Sequence, residues 1–261
     1  MTAPVLVFDL ETIPDVQGAR RLHDFAGLDD AAVATAMLAM RRMQTGHEFL
    51  AHPLHRIVSI GVLYQNGEQL RLAALGRDQD DEAALLQQFF NVIETRTPTL
   101  VSWNGGGFDL PVLHYRALLH GIAAPRYWEQ GDEDREFRYN NYQNRFHWRH
   151  IDVMDVLSGY QARATASLDM IASLSGFPGK LGVDGSKVWP LWQAGEHTQV
   201  HDYVEHDVLN TYLVYLRFER MRGQLSVQAH AQHEAQLRHF LQHSSAAHHR
   251  AFLEAWQGAG A

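Results

Sequence analysis

Val5 to Leu10 is a short, almost unbroken apolar and β-branched run, interrupted only by Asp9 near its end. Such a run is buried on both faces and predicts a central strand of a sheet. After Thr12-Ile13-Pro14-Asp15 the pattern changes: Asp29-Asp30 precede Ala, Val, Met and Leu at helical spacing through Met43, which predicts an inserted helix with an acidic N-terminus. The helical insertion occupies roughly residues 15–50 and closes near His52-Pro53. Arg56–Tyr64 and Gln69–Ala74 then flank Asn66-Gly67, a strong signal for a two-residue hairpin, so three antiparallel strands open the fold.

Beyond the hairpin the apolar period alternates. Leu85, Phe89 and Ile93 predict a helix over Asp80–Thr95; Thr99–Trp103 reads as a strand running through glycines into a helix, Leu110–Leu119. A polar and aromatic stretch over 126–149 precedes a strand at His150–Val156, then helices at Ser167–Ser175 and Val200–Met221. This order predicts an α/β fold, a mixed sheet with helices on its faces and a right-handed crossover into its parallel part. The expected organisation is one domain over 1–222 and a helical C-terminal tail over 223–261, in which Val227–Trp256 is interrupted by the polar stretch Ser244–Arg250.

Composition narrows the chemistry. With 46% hydrophobic residues in 261, the chain can bury a sizeable core. The absence of cysteine excludes disulfides, thiolate zinc sites and thiol redox chemistry, and suits a reducing cytoplasm. The N-terminus lacks the basic start and apolar run of a signal peptide, and no window has the apolar length of a membrane helix, so the expectation is a soluble cytoplasmic protein. A formal charge of −8 opposes broad electrostatic adhesion to nucleic acid, although bound divalent cations invert the field locally.

Alternation along a strand puts Asp9 and Glu11 on one side, where two carboxylates repel unless they share a hard cation. A solvated strand end is the competing account of this pair alone. Asp109 follows Trp103-Asn104-Gly105-Gly106-Gly107-Phe108 at a strand–helix junction; a phosphate loop would need Lys and Ser or Thr after its glycines, whereas a helix N-cap would suit Asp109 equally well. Tyr203 and Asp207, four apart, share a face of the late helix.

The order of these groups, D-x-E on the first strand, N-G-x-x-F-D after a later one and Y-x-x-x-D on a late helix, resembles the DEDD (DnaQ-like) exonuclease superfamily. It is most similar to the Tyr-containing branch, among predicted exonucleases related to the proofreading domain of family-B DNA polymerases. Asp9-Leu10-Glu11-Thr12, Asn104 through Asp109, and Tyr203 through Asp207 carry the likeness, which spans residues 5 to about 218. The sister branch has His where this chain has Asp202.

The resemblance implies a ribonuclease-H-like fold and a 3'-to-5' exonuclease acting on the 3' end of single-stranded nucleic acid, DNA more than RNA. It implies that Asp9, Glu11, Asp109 and Asp207 hold two divalent cations, Mg2+ or Mn2+, about 3.5–4 Å apart around the scissile phosphate. Tyr203, a phenol with an ordinary pKa of about 10, suits orienting the attacking water better than deprotonating it. Thr12 and Asn104 would touch the strand and Phe108 would pack near the terminal base, unless it is plain core. Lys180, in Lys180-Leu181-Gly182-Val183, would contact phosphate, with Lys187 the other candidate. With no polymerase-sized region in these residues, a free-standing enzyme is the expectation.

Other features read more blandly. Arg135, Arg138, Arg145 and Arg149 alternate with Phe137, Tyr139, Tyr142, Phe146 and Trp148, a pattern that suits single-strand contacts but also a loop packing its rings inward. Among the 17 histidines, His230, His233, His239, His243, His248 and His249 crowd the tail without the Glu of an H-E-x-x-H helix, so a structural or partner-contact role is expected. Asp152 and Asp155 follow a strand at a place suited to supporting a site from behind, but nothing local lifts them above ordinary polar positions.

Overall fold

The computed structural model describes residues 4–78, 81–182 and 184–259. Asp80, the expected start of one helix, and Val183 lie outside them. Strand β1 (Val5–Pro14) leads into helices α1 (Val16–Leu22) and α2 (Asp30–Thr45), and then into β2 (His55–Asn66) and β3 (Gln69–Leu75). Helix α3 (Glu82–Arg96), β4 (Thr99–Ser102), α4 (Asp109–His120), α5 (Pro125–Trp128) and β5 (His150–Asp152) complete the sheet region. Helices α6 (Val153–Leu157), α7 (Leu168–Leu174), α8 (Val188–Gln193), α9 (His197–Met221), α10 (Val227–His243) and α11 (Ala247–Ala259) follow.

The sheet order is β3-β2-β1-β4-β5, with β1 in the centre. β1 pairs antiparallel with β2, as β2 does with β3, while β4 lies parallel to β1 and β5 parallel to β4. This is the expected α/β, ribonuclease-H-like mixed sheet. Two local expectations change. The hairpin pairs Asn66 with Gln69, so its turn is Gly67-Glu68, one residue later than the Asn-Gly signal suggests; Gly67 supplies the positive φ of 58°. The strand expected over His150–Val156 ends at Asp152, because the Asp152 carboxylate accepts the Asp155 N–H and caps α6.

Alternation along β1 divides the core. Leu6, Phe8 and Leu10 pack with Leu85, Leu86 and Phe89 of α3 and Val112 and Leu113 of α4. Val7 faces the other way, into a cluster with Val208, Leu209 and Tyr212 of α9. That second cluster also takes Leu237 and Leu241 of α10 and Phe252 and Trp256 of α11, so the C-terminal helices share the core of the sheet. The insertion has a small core of its own, built on Val16, Ala19, Val33 and Met37. Among the described residues no helix is long and apolar enough to cross a membrane.

Helix α9 lies in close contact with the sheet at Gly61, which stands opposite Asp9 in the β1–β2 ladder. A methyl group on Gly61 would lie 2.8 Å from Val208 Cγ2 and 2.9 Å from both Val204 Cγ2 and the Val204 carbonyl oxygen. Glycine is therefore required by contact, not by backbone angle. Next to it, Ser59 Oγ and His201 Nδ1 are hydrogen-bonded at 2.9 Å, fixing the helix axially. Gly61→Ala should cost about 1–3 kcal/mol, the usual range for overpacking. Urea denaturation should show a lower midpoint that Val208→Ala recovers only in part, because the Val204 carbonyl cannot be trimmed; an unchanged midpoint would contradict this packing.

Candidate active site

The alternation that sends Val5 and Val7 towards α9 carries Asp9 and Glu11 to the same face. There they meet Asp207, and ligand oxygens of the three carboxylates lie within 4.8 Å of one another. The β1–β2 register slips by one residue just after Glu11, which faces Ser59 while Thr12 faces Ile57. Such a bulge re-aims the strand immediately beyond the pair.

Asp109 arrives by another route. β1 pairs with β4 only as far as Val7 and Val101, and beyond that point the Leu10 N–H is donated to Asp109 Oδ1 at 3.0 Å. Delivery depends on the glycine loop. Asn104 adopts a left-handed φ of 65°, and its carbonyl accepts the N–H groups of Gly107 and Phe108. A side chain at Gly107 would strike Asn104 Oδ1, 2.5 Å from the Cβ position. Asp152 clamps the loop, its two oxygens accepting the Asn104 and Gly106 N–H groups at 2.9 Å each. Asp109 is the first residue of α4 and not its N-cap, which is Phe108.

Asp9, Asp109, Tyr203 and Asp207 line one cleft of about 240 Å³ together with Asn104, Phe108, Asp169, Lys180 and Asn210. Burial pushes the Asp9 and Glu11 carboxyls well above the ordinary range, and repulsion from the other carboxylates of the cluster adds to the effect. Burial also raises Asp109 to about 7, against the opposing hydrogen bonds from its own amide and that of Leu10. Asp207 rises to about 6, again through burial, while the Tyr203 hydrogen bond and Lys180 restrain it. Burial, reinforced by Asp207, Glu11 and Asp9, holds the Tyr203 phenol well above its ordinary pKa, so it keeps its proton. An all-oxygen donor set under mutual repulsion fits hard divalent cations such as Mg2+ or Mn2+.

The remaining expected residues separate. Asn104, Phe108 and Lys180 line the cleft. Lys187 donates to the Gly182 carbonyl at 2.7 Å, which leaves Lys180 as the lysine facing the carboxylates. Thr12 is tied to His55 Nδ1 at 2.9 Å, in a cluster where Phe108 packs edge-on against Phe49 and His55 and tilted against His52. In the aromatic loop, Phe137 and Tyr142 are buried beneath Arg149, whereas Tyr139, Phe146 and Trp148 are exposed.

Two positioning residues, Asn210 and Asp169, were not expected from the sequence, and a third, Asp152, had only its place after a strand to suggest it. Asn210 grips Gly179 through both amide atoms, accepting its N–H at 3.1 Å and donating to its carbonyl at 2.9 Å. Asp169 accepts the Lys180 N–H at 2.8 Å, and Asp152 holds the glycine loop. Of Asn210 and Asp169, only Asn210 had a signal: it lies three residues after Asp207 and so shares its helix face.

A ribonuclease-H-like sheet with an acidic cleft where β1 and β4 end defines the class of protein. Residues 47–256 match a family described as "Predicted 3'-5' exonuclease related to the exonuclease domain of PolB", and the chain belongs to that family. The matched range begins after Asp9 and Glu11, which the fold nonetheless brings beside Asp207. The chain is also similar to the catalytic subunit of DNA polymerase epsilon from Saccharomyces cerevisiae (26% identical over 148 residues) and from Kluyveromyces lactis (28% over 148 residues). The corresponding polymerase epsilon chain of Schizosaccharomyces pombe is 24% identical over 146 residues. Each alignment covers 54% of this chain and 6% of the relative.

The raised carboxyls set a sign for pH dependence. Folded Asp109 and Asp207 hold protons that the unfolded chain has released between the ordinary carboxyl range and about pH 7, so metal-free stability falls as pH rises through that window. Cations require the deprotonated ligands, so added Mn2+ should stabilise increasingly over the same range. Thermal melts from pH 5 to 8, with chelator and with Mn2+, should diverge as pH rises; parallel curves would count against a shared cation site.

Proposed function

We propose that this protein is a metal-dependent 3'-to-5' exonuclease that hydrolyses terminal phosphodiester bonds of single-stranded nucleic acid, with DNA preferred to RNA. Asp9, Glu11, Asp109 and Asp207 are the ligands of two divalent cations, Mg2+ or Mn2+, within a catalytic region over 1–222 that the helical tail over 223–261 buttresses. The meeting of these carboxylates where the central strands end, in a chain of an exonuclease family, is the observation that carries the reading. The DNA preference rests on the DNA polymerases to which the chain is similar.

Two such cations would supply an activated water and neutralise charge on the leaving 3' oxygen of an in-line displacement. Tyr203, which keeps its proton beside Asp207, orients the attacking water by hydrogen bonding. Lys180 places a positive charge at the cleft, where it faces the scissile phosphate. Asn104 and Phe108 line the path of the last nucleotide, with Phe108 half-buried and offering a ring face to the base. Thr12, beyond the bulge, contacts the strand from the His55 side.

A panel of 3'- and 5'-labelled DNA and RNA strands, single and duplex, tests the reading with Mn2+. Mononucleotides should be released from the 3' end of single-stranded DNA first. Asp9→Ala and Asp207→Asn should each lower the rate by at least about a hundredfold, as expected when a group stabilising transition-state charge is lost. A hydrogen bond to a charged or strongly polarised group contributes about 1.5–3 kcal/mol, so Tyr203→Phe should cost roughly 10- to 100-fold in turnover. Strand binding without nucleotide release under saturating metal would overturn the enzyme assignment in favour of an end-binding protein.

A further inference from the structure

A second group of ligand-type side chains lies on the far side of α9 from the cleft. Glu205 Oε2 stands 2.7 Å from His248 Nε2 and 2.6 Å from His249 Nε2, and the three ligand atoms converge on one point between α9 and α11. Each ligand's other polar atom has a close polar neighbour, hydrogen-bonded for Glu205 and His249. Glu205 Oε1 takes Arg77 Nη2 at 3.1 Å, His249 Nδ1 meets Ser244 Oγ at 2.6 Å, and His248 Nδ1 is 3.1 Å from Asp202 Oδ1. These outer contacts orient both rings with Nε2 inward, the arrangement by which outer partners fix metal-bound imidazoles. Glu205 and His249 are buried, and His248 nearly so.

We propose that Glu205, His248 and His249 form a zinc site that fastens α11 to α9. Two imidazoles and a carboxylate are a zinc donor set, with water completing a tetrahedron. In the tautomers that carry the proton on Nδ1, the Nε2 lone pairs and the carboxylate oxygen would face one another, and a positive charge between them would remove the repulsion. Ligand atoms about 2.0–2.1 Å from a tetrahedral ion stand about 3.3 Å apart, so the two Nε2–Oε2 separations of 2.7 and 2.6 Å would open by about 0.6–0.7 Å. The site is independent of the cation pair in the cleft, which is all oxygen.

The test uses the full chain carrying Asp9→Ala, which weakens the competing carboxylate cluster, stripped with chelator and dialysed against zinc with excess Mg2+. It should retain about one zinc per chain and melt at a higher temperature with zinc than without. Adding His248→Gln and His249→Gln should weaken zinc binding by at least about a hundredfold and remove the thermal shift. Cobalt in the unsubstituted chain gives a check that needs no folded His variant: intense visible bands of four-coordinate Co2+, abolished by zinc, are expected. No retained zinc, equal retention with and without the histidines, or only the weak bands of six-coordinate cobalt would overturn the proposal and leave a protonated imidazole–carboxylate pair.

Discussion

Helix α9 rests directly on β1 and β2 because Gly61 has no side chain to hold it away, and this contact brings Asp207 to within 4.8 Å of the ligand atoms of Asp9 and Glu11. The apolar packing of Val208, Leu209 and Tyr212 against the sheet forces like charges into a buried cleft that they would otherwise avoid. Burial first, and the mutual repulsion second, raise the carboxyls, and protons or cations must then compensate. Stability is given up locally so that the site is poised for positive charge.

Much of the surrounding structure serves to aim these groups. Asp152, at the end of β5, holds the glycine loop that delivers Asp109, and Asn210 and Asp169 hold the loop that delivers Lys180. Each works through backbone N–H or carbonyl groups and so constrains loop shape, and Asn210 and Asp169 also line the cleft. Asn210 and Asp207 lie on one helix, which ties the placement of the lysine to that of the carboxylate it faces. Helix α11 braces α9 from behind through Phe252 and Trp256 in the core and through Glu205, which sits between Tyr203 and Asp207 in sequence but points away from them.

The order of elements was largely legible from periodicity, because long amphipathic helices and a central apolar strand leave strong patterns. Boundaries were less so. The strand after the aromatic loop stopped at Asp152 because a side-chain cap competed with the ladder, and the hairpin turn shifted by one residue because Gly67, not Asn66, supplies the positive φ. Helix α8, Val188–Gln193, lies in a stretch where six residues and a proline give no usable period. His248 and His249 carried no local motif, since their carboxylate partner Glu205 is more than 40 residues away in sequence.

Within the site, alternation along β1 places Asp9 and Glu11 on one face, and helical spacing does the same for Tyr203 and Asp207; these are properties of the backbone period that the amino-acid sequence determines by itself. Which face of β1 meets which face of α9, how closely, and that Asp109 reaches the same cleft through the Leu10 amide, only the tertiary structure decided. The physical reason is that local periods orient side chains about their own element, whereas the distances between carboxylates on different elements follow from packing: a missing Cβ at Gly61, a divergence of β4 from β1, and a loop clamped by Asp152.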